Sequence, residues 1–301
     1  MWEAPVDVLL SCGVINLDKP RGPTSHEVTA WVKQMLGIEK TGHAGTLDPH
    51  VSGVLPIALG RATSAVQAMH IARKEYICIL RFHADVDASV ANEVFSNFKG
   101  RILQIPPVRS AVARRERTRV VHELEMLESQ DRDILFRVRC DAGTYIRTLC
   151  RDIGLSCGVG ANMRELRRTA SGGFAEADCI TLHDLSNALY AWKEEKDEGP
   201  IRKVIHPMST MFAHLKKVVI KESAVDAVCH GAQVMIPGVE SADAEIAKSE
   251  HVAIMTRKGE VVALAVTLMD DRHYQMLKKG VLAKTLRVYM PRGTYPRAWR
   301  S

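Results

Sequence analysis

Residues 42–49 read Gly-His-Ala-Gly-Thr-Leu-Asp-Pro and set one carboxylate, Asp48, on a loop built from flexible and rigid residues. Gly42 and Gly45 permit positive φ or a close approach to a ligand. Pro49 restrains Asp48 toward extended backbone. His43 lies five residues before Asp48, no second carboxylate follows at metal-ligand spacing, and no Ser-His arrangement accompanies it. The chemistry this allows is that of a lone carboxylate nucleophile, already ionised at neutral pH and in need of no activating base. In an arbitrary chain the same residues are more often a turn that uses Asp-Pro for its conformational preferences.

Two further residues bear on that choice. Arg147 follows Gly143-Thr144 at the expected start of a helix, where a cation opposes the helix dipole. A partner carboxylate or phosphate would offset that cost, and an Arg beside Asp48 would keep it ionised and aimed; an ordinary surface Arg is the competing reading. Tyr76 begins an apolar strand and could stack on a base, a contact worth about 1–3 kcal/mol, or sit in the core with its hydroxyl satisfied. Basic residues crowd three segments: Arg109, Arg114, Arg115, Arg117 and Arg119; Arg164, Arg167 and Arg168 around Leu166; and Lys284, Arg287, Arg292, Arg297 and Arg300. Each alone reads as a solvated face, whereas three together favour a phosphate-backbone track. In such a cleft His43 could contact phosphate or fill the space of an extruded base.

The elements that must position these residues follow from periodicity. Gly13 to Leu17 is an apolar strand, and Thr24 and Glu27 form a capping box for a helix with Val28, Trp31, Val32, Met35 and Leu36 at helical spacing. Gly37 ends it. Strands are expected at 51–59 and 74–82, the latter central because it is apolar on both faces, and helices at 62–72, 89–98, 144–156 and 183–193. Ile134, Phe136, Val138 and Cys140 alternate with Arg137 and Arg139, the pattern of a strand with one wet face. The stretch after Pro106-Pro107 reads as basic and extended, and Leu166 is expected on a basic helix. The charged segment 193–200 is either a turn between helices or a boundary. From Lys216 short strands dominate, at 217–220, 251–256, 260–269 and 285–290, with a helix at 222–229. Without a regular βαβ rhythm the fold class is α+β. The expected division is an N-terminal extension, 1–12, a catalytic domain, 13–214, and a small mostly-β module, 215–301.

The composition bounds the function. The 301 residues suggest about two domains. At 46% hydrophobic and 25% charged they can build an ordinary core, while 5% aromatic leaves no broad stacking surface. The net charge of +6 favours a polyanionic partner. Seven cysteines without a Cys-x-x-Cys pair read as free thiols in a reducing compartment. The twelve histidines form no metal cluster. The first residues lack the basic region of a signal peptide, and the longest apolar run, Val261 to Met269, is too short to span a bilayer.

Five segments, taken in order, resemble the TruB/dyskerin family of RNA pseudouridine synthases: Gly13 to Pro20, Gly42 to Pro49, Lys74-Glu75-Tyr76, Gly143 to Arg147, and Leu166-Arg167-Arg168. Ser223 to Gly231 and Met290 to Trp299 are similar to the PUA domain of the guide-dependent branch, and the overall wording resembles its archaeal form. The resemblance implies a mixed-sheet catalytic domain with a PUA RNA-binding domain and a catalytic Asp48. It implies Tyr76 stacked on the target uracil, Arg147 paired with Asp48, and Leu166 lining the pocket. His43, Lys19 and Arg167 join the substrate-binding set, with Lys19 and Pro20 buttressing the loop. The implied reaction isomerises uridine to pseudouridine, with neither cofactor nor metal. Its substrate is tRNA at uridine 55 of the T-loop, rRNA selected by an H/ACA guide with small accessory proteins, or both. Attack at C6 of the base and at C1′ of the ribose both stay open. The short segment before Gly13 suggests a reduced accessory surface, and the lack of a Lys-rich tail argues for a cytoplasmic rather than nucleolar protein. The competing classes are a non-catalytic RNA-binding scaffold or tRNA chaperone and a base-excising glycosylase.

Overall fold

The structure, a computed structural model, describes residues 5–106 and 115–297. Arg109, Arg114, Pro107, Trp299 and Arg300, named above, lie outside the described residues. The chain divides into two compact units, 1–206 and 207–301.

The first unit runs α1 (Val6–Cys12), β1 (Gly13–Lys19), α2 (Ser25–Leu36), β2 (Thr41–His43), β3 (Ser52–Leu59), α3 (Val66–Met69), β4 (Lys74–Phe82), α4 (Ala88–Asn97), β5 (Gly100–Gln104), β6 (Arg117–Gln130), β7 (Asp133–Cys140), α5 (Ile146–Ser156), β8 (Ala161–Ser171), β9 (Phe174–Ala175), α6 (Leu182–Lys193) and α7 (Gly199–Val204), with β10 (His206–Pro207) at its end. One mixed sheet has the order β10-β1-β3-β8-β4-β7-β6-β5, with β2 on β3 and β9 on β8. The β3–β8 pair is parallel, and β8 lies antiparallel to β4.

Local chemistry accounts for most of these elements. In α2 the Thr24 hydroxyl accepts from the Glu27 amide at 3.1 Å while the Glu27 carboxylate accepts from the Thr24 amide at 2.7 Å, a complete capping box. Gly37 closes the helix at φ 66°. Val28, Val32 and Leu36 of α2 pack with Ile15, Leu17, Leu55, Ile57 and Leu59, while Trp31 stays exposed. In β7 Ile134, Phe136, Val138 and Cys140 are buried; on the wet face Arg137 pairs with Glu125 at 2.5 Å and Arg139 with Glu123 at 3.0 Å. The central strand β4 is flanked by β7 and β8, as its double-sided apolar pattern requires.

Several expectations are corrected. Leu166 stands on strand β8, not on a basic helix. Its neighbours are good helix formers, but pairing with β3 and β4 on both sides overrides that local preference. The stretch 62–72 forms a 3₁₀ segment, Gly60–Ala65, followed by the single-turn α3. Thr63 and Ser64 hydroxyls donate back to the Gly60 and Arg61 carbonyls at 2.7 and 2.8 Å and compete with helical pairing. Residues 193–200 form the turn between α6 and the start of α7. The residues before Gly13 hold a helix, α1, that buries Val6, Leu9 and Leu10.

The second unit runs β11 (Lys216–Ile220), α8 (Glu222–Cys229), β12 (Val234–Met235), β13 (Val239–Ala242), β14 (His251–Met255), β15 (Val261–Thr267), α9 (Asp271–Met276) and β16 (Val281–Val288). Its sheet has the order β12-β16-β15-β14-β11-β13 around a core that includes Val218, Val225, Ile254 and Val262. The short β12 and β13 carry too few residues to show a period in sequence. The two units together bear out the α+β class.

Candidate active site

The loop between β2 and β3 carries Asp48 and is held at several points. Gly45 takes φ 91°, a value open to glycine without strain. The Leu47 amide donates to the Ser25 hydroxyl at 2.8 Å, and that hydroxyl donates back to the Leu47 carbonyl at 3.0 Å, tying the loop to the first turn of α2. Pro49 offers its carbonyl to the Gly22 amide at 2.8 Å. Beneath the loop the fully buried Lys19 ammonium donates to the carbonyls of Val51 at 2.8 Å, Pro20 at 2.9 Å and Pro49 at 3.3 Å. Burial lowers the Lys19 pKa and the charge of Asp48 opposes that shift.

The Asp48 carboxylate stays outside this packing, with 54% of its side chain exposed, and forms an ion pair with Arg147. Arg147 is the second residue of α5, whose start is fixed by Gln104: its side chain accepts from the Tyr145 amide at 2.9 Å and donates to the Tyr145 carbonyl at 3.1 Å. A pair this exposed contributes only about 0–1 kcal/mol to stability. What it supplies is direction, since it aims the carboxylate.

Sheet register sets the remaining residues. Tyr76 of β4 stands opposite Arg168 of β8, and Cys78 stands opposite Leu166. Tyr76 and Leu166 therefore share a face, and both pack on the same apolar cluster. Helix α5 covers that face, for Cys150 approaches Cys78 with sulfurs 3.6 Å apart. Arg147 lies three residues before Cys150, on the same side of the helix. Burial raises the Tyr76 phenol pKa, with Arg168 acting in the opposite sense. His43 ends β2 with its ring edge-on to His26 at 4.9 Å. Burial first, then the charges of His26 and Arg168, lower its pKa to about 4, so it is neutral at neutral pH.

Two residues expected to touch substrate lie elsewhere. Arg167 points to the opposite face of β8 from Leu166, donates to both oxygens of Asp18 at 3.1 and 2.9 Å, pairs with Glu176 and reaches the Ser52 hydroxyl at 3.2 Å. Its guanidinium is committed to β1 and β3. Lys19 lies under the loop, where its ammonium is spent on carbonyls. Sequence reasoning passed over Ser25, Asp18, Lys74 and Arg168 as site-building residues. Lys74 is buried and donates to the Met69 and Ala72 carbonyls at 2.7 and 2.6 Å. Arg168 is 1% exposed and donates to the Val54 carbonyl at 2.7 Å and the Gly45 carbonyl at 3.1 Å. Nothing in sequence separates Arg168 from Arg164 and Arg167; only the strand pairing does. Among the described residues no group of His, Cys, Asp or Glu is gathered to hold a metal.

Comparison with known proteins agrees along the chain. Residues 33–146 match the N-terminal domain of the TruB family pseudouridylate synthases, and 147–213 match the tRNA pseudouridylate synthase B C-terminal domain. Residues 216–289 match the PUA domain and 2–29 the DKCLD (NUC011) domain. A probable tRNA pseudouridine synthase B of Methanocaldococcus jannaschii is 51% identical over 299 residues, 99% of this chain and 89% of the relative. Its counterpart from Pyrococcus furiosus is 52% identical over 298 residues, 99% of this chain and 88% of the relative. Among solved structures, a Cbf5-Nop10-Gar1 complex contains a chain with TM-score 0.92 and 51% identity, covering 98% of this chain and 90% of that one. An H/ACA RNP bound to a substrate RNA containing 2′-deoxyuridine gives TM-score 0.88 and 49% identity, with 99% and 91% covered. Fold, site and relatives define a pseudouridine synthase, an isomerase with a PUA domain. Within that class the chain belongs to the TruB family.

Proposed function

We propose that the protein isomerises uridine in RNA through Asp48, and that the Asp48–Arg147 ion pair is the observation that carries this reading. The reaction breaks the C1′–N1 bond, turns the base and joins C1′ to C5. The C5 proton is released and N1 gains one, so the product is an isomer and no electrons are exchanged. The uracil leaves its stack to be reached. Asp48 supplies the nucleophile, at C6 or at C1′. Arg147 holds its carboxylate pointed. Tyr76 stacks on the base and Leu166 lines the apolar side of the pocket. The neutral His43 contributes shape rather than charge. Lys19 and Arg167 act through the loop and the strands behind it.

The RNA is delivered in one of two ways. Solved relatives of this chain are seen with Nop10 and Gar1 and in an H/ACA RNP on substrate RNA, which supports a role as the catalytic subunit of a guide complex with small accessory proteins. Relatives named tRNA pseudouridine synthase B support direct action on tRNA, at uridine 55 of the T-loop. Residues 215–301 serve as the RNA-binding PUA module, while 13–214 carry the chemistry. A cytoplasmic setting fits seven free cysteines and archaeal relatives. Among the described residues no helix is long and apolar enough to cross a membrane.

Tritium release from 5-labelled uridine tests the reading, with tRNA and with guide-paired target RNA. Asp48→Asn should abolish release while RNA affinity stays at the wild-type level; substantial release by that variant would overturn the assignment. Release from tRNA by the protein alone would assign the direct role, and dependence on guide and accessory proteins would assign the complex. Free uracil as product would identify a glycosylase instead.

A further inference from the structure

Arg168, 1% exposed, is a buried charged side chain near the site that the reaction as described does not use. A buried cation is costly unless it is compensated. Among the described residues Arg168 forms no ion pair with a carboxylate, and neither does its neighbour Lys74. Its compensation is geometric. The Nε donates to Val54 and an Nη to Gly45, and Tyr76 stands directly opposite Arg168 across the β4–β8 pair, on the same face of the sheet. Gly45 and Val54 bracket the segment that carries Asp48. The sheet register repeats this arrangement, because Arg168 stands opposite Gly53 on one side and Tyr76 on the other.

We infer that Arg168 is a positioning residue that holds the Asp48 loop and the Tyr76 phenol in register. This rests on the reading that Asp48 and Tyr76 serve one uridine. The planar guanidinium fork has five donors in fixed directions, so it can hold two carbonyls and still present a donor edge to the facing Tyr76. A base stacked on Tyr76 then meets the Asp48 carboxylate at a set separation. Near-attack geometry needs reacting atoms about 3–3.5 Å apart, and a misplacement of about 1 Å can cost about 10²-fold in rate. A lysine at 168 keeps the charge but concentrates its donors on one nitrogen and cannot span the Val54 and Gly45 carbonyls while facing Tyr76.

The test joins kinetics to amide hydrogen exchange on the full-length protein. Arg168→Lys should lower the single-turnover rate by about 10²-fold with RNA affinity unchanged, and exchange should quicken at residues 44–51 while the second unit stays as protected as before. Tyr76→Phe keeps the ring and removes the hydroxyl; exchange should again quicken at 44–51, because the loop feels the phenol through Arg168. A wild-type rate in Arg168→Lys, or exchange at 44–51 unchanged in Tyr76→Phe, overturns the inference. If Arg168→Lys fails to fold, the Tyr76→Phe exchange decides the matter. Wild-type protein without isomerase activity would overturn the functional reading instead, which the exchange measurement does not depend on.

Discussion

The Lys19 ammonium donates to the Val51 carbonyl at 2.8 Å, joining the end of β1 to the start of β3 beneath the loop that carries Asp48. The same nitrogen takes the Pro20 and Pro49 carbonyls at 2.9 and 3.3 Å. One buried cation thus anchors the C-terminal flank of the Asp48 loop to the end of β1. Lys19→Met leaves those carbonyls without their donor. Leaving buried polar groups unsatisfied costs about 1–3 kcal/mol. Urea unfolding should register that loss, and isomerisation should fall with it as the loop is freed. An unchanged urea midpoint would refute the anchoring role.

Arg147 makes the opposite prediction. Its pair with Asp48 is half exposed on both sides and stabilises the fold by no more than about 1 kcal/mol. Arg147→Ala should leave the thermal midpoint near that of the wild type while turnover falls by about 10²–10³-fold, the scale of losing one preorganised electrostatic contact. Calorimetry and tritium release on the same preparation separate the two. A variant that retains full turnover would remove Arg147 from the mechanism.

His43 imposes an acid sensitivity. Burial, with His26 and Arg168 adding to it, holds its folded-state pKa at about 4; the unfolded chain titrates near about 6.5. Between those values the unfolded state binds the additional proton. Stability therefore falls as pH drops from about 6.5 toward about 4, and rises with pH across the same window. Urea midpoints measured through that range should decline less steeply for His43→Gln than for the wild type. Parallel declines would show that His43 does not set the slope.

Gly53 tests the parallel β3–β8 junction. It takes φ 103°, and a Cβ there would lie 2.2 Å from the Arg168 carbonyl oxygen, which is backbone and cannot swing aside. Gly53→Ala should sharply lower the thermal midpoint or prevent folding. A variant melting with the wild type would mean that β3 and β8 are farther apart than described.

Features that depend on neighbours in sequence were legible from it. The Thr24–Glu27 capping box, the Gly37 stop and the alternation of β7 all arise within a few residues. So did the segment around Asp48 and its expected partners Tyr76 and Arg147. Other assignments depended on which strands became neighbours. Residues 161–171 carry helix formers and became β8 because β3 and β4 offered open edges on both sides. That pairing turned Leu166 toward the Tyr76 face and Arg167 away from it. It also buried Arg168 between two strands, although in sequence the two arginines are indistinguishable. The family resemblance places Lys19 and Arg167 in the substrate-binding set and also makes Lys19 a buttress of the loop. The fold spent the first on loop carbonyls and the second on Asp18 and Glu176. Residue type determined that a carboxylate, a phenol and several cations were available. Only tertiary structure decided which cations stay exposed and which are buried behind the Asp48 loop, because the partner of a buried charge is chosen by strand pairing between residues far apart in the chain.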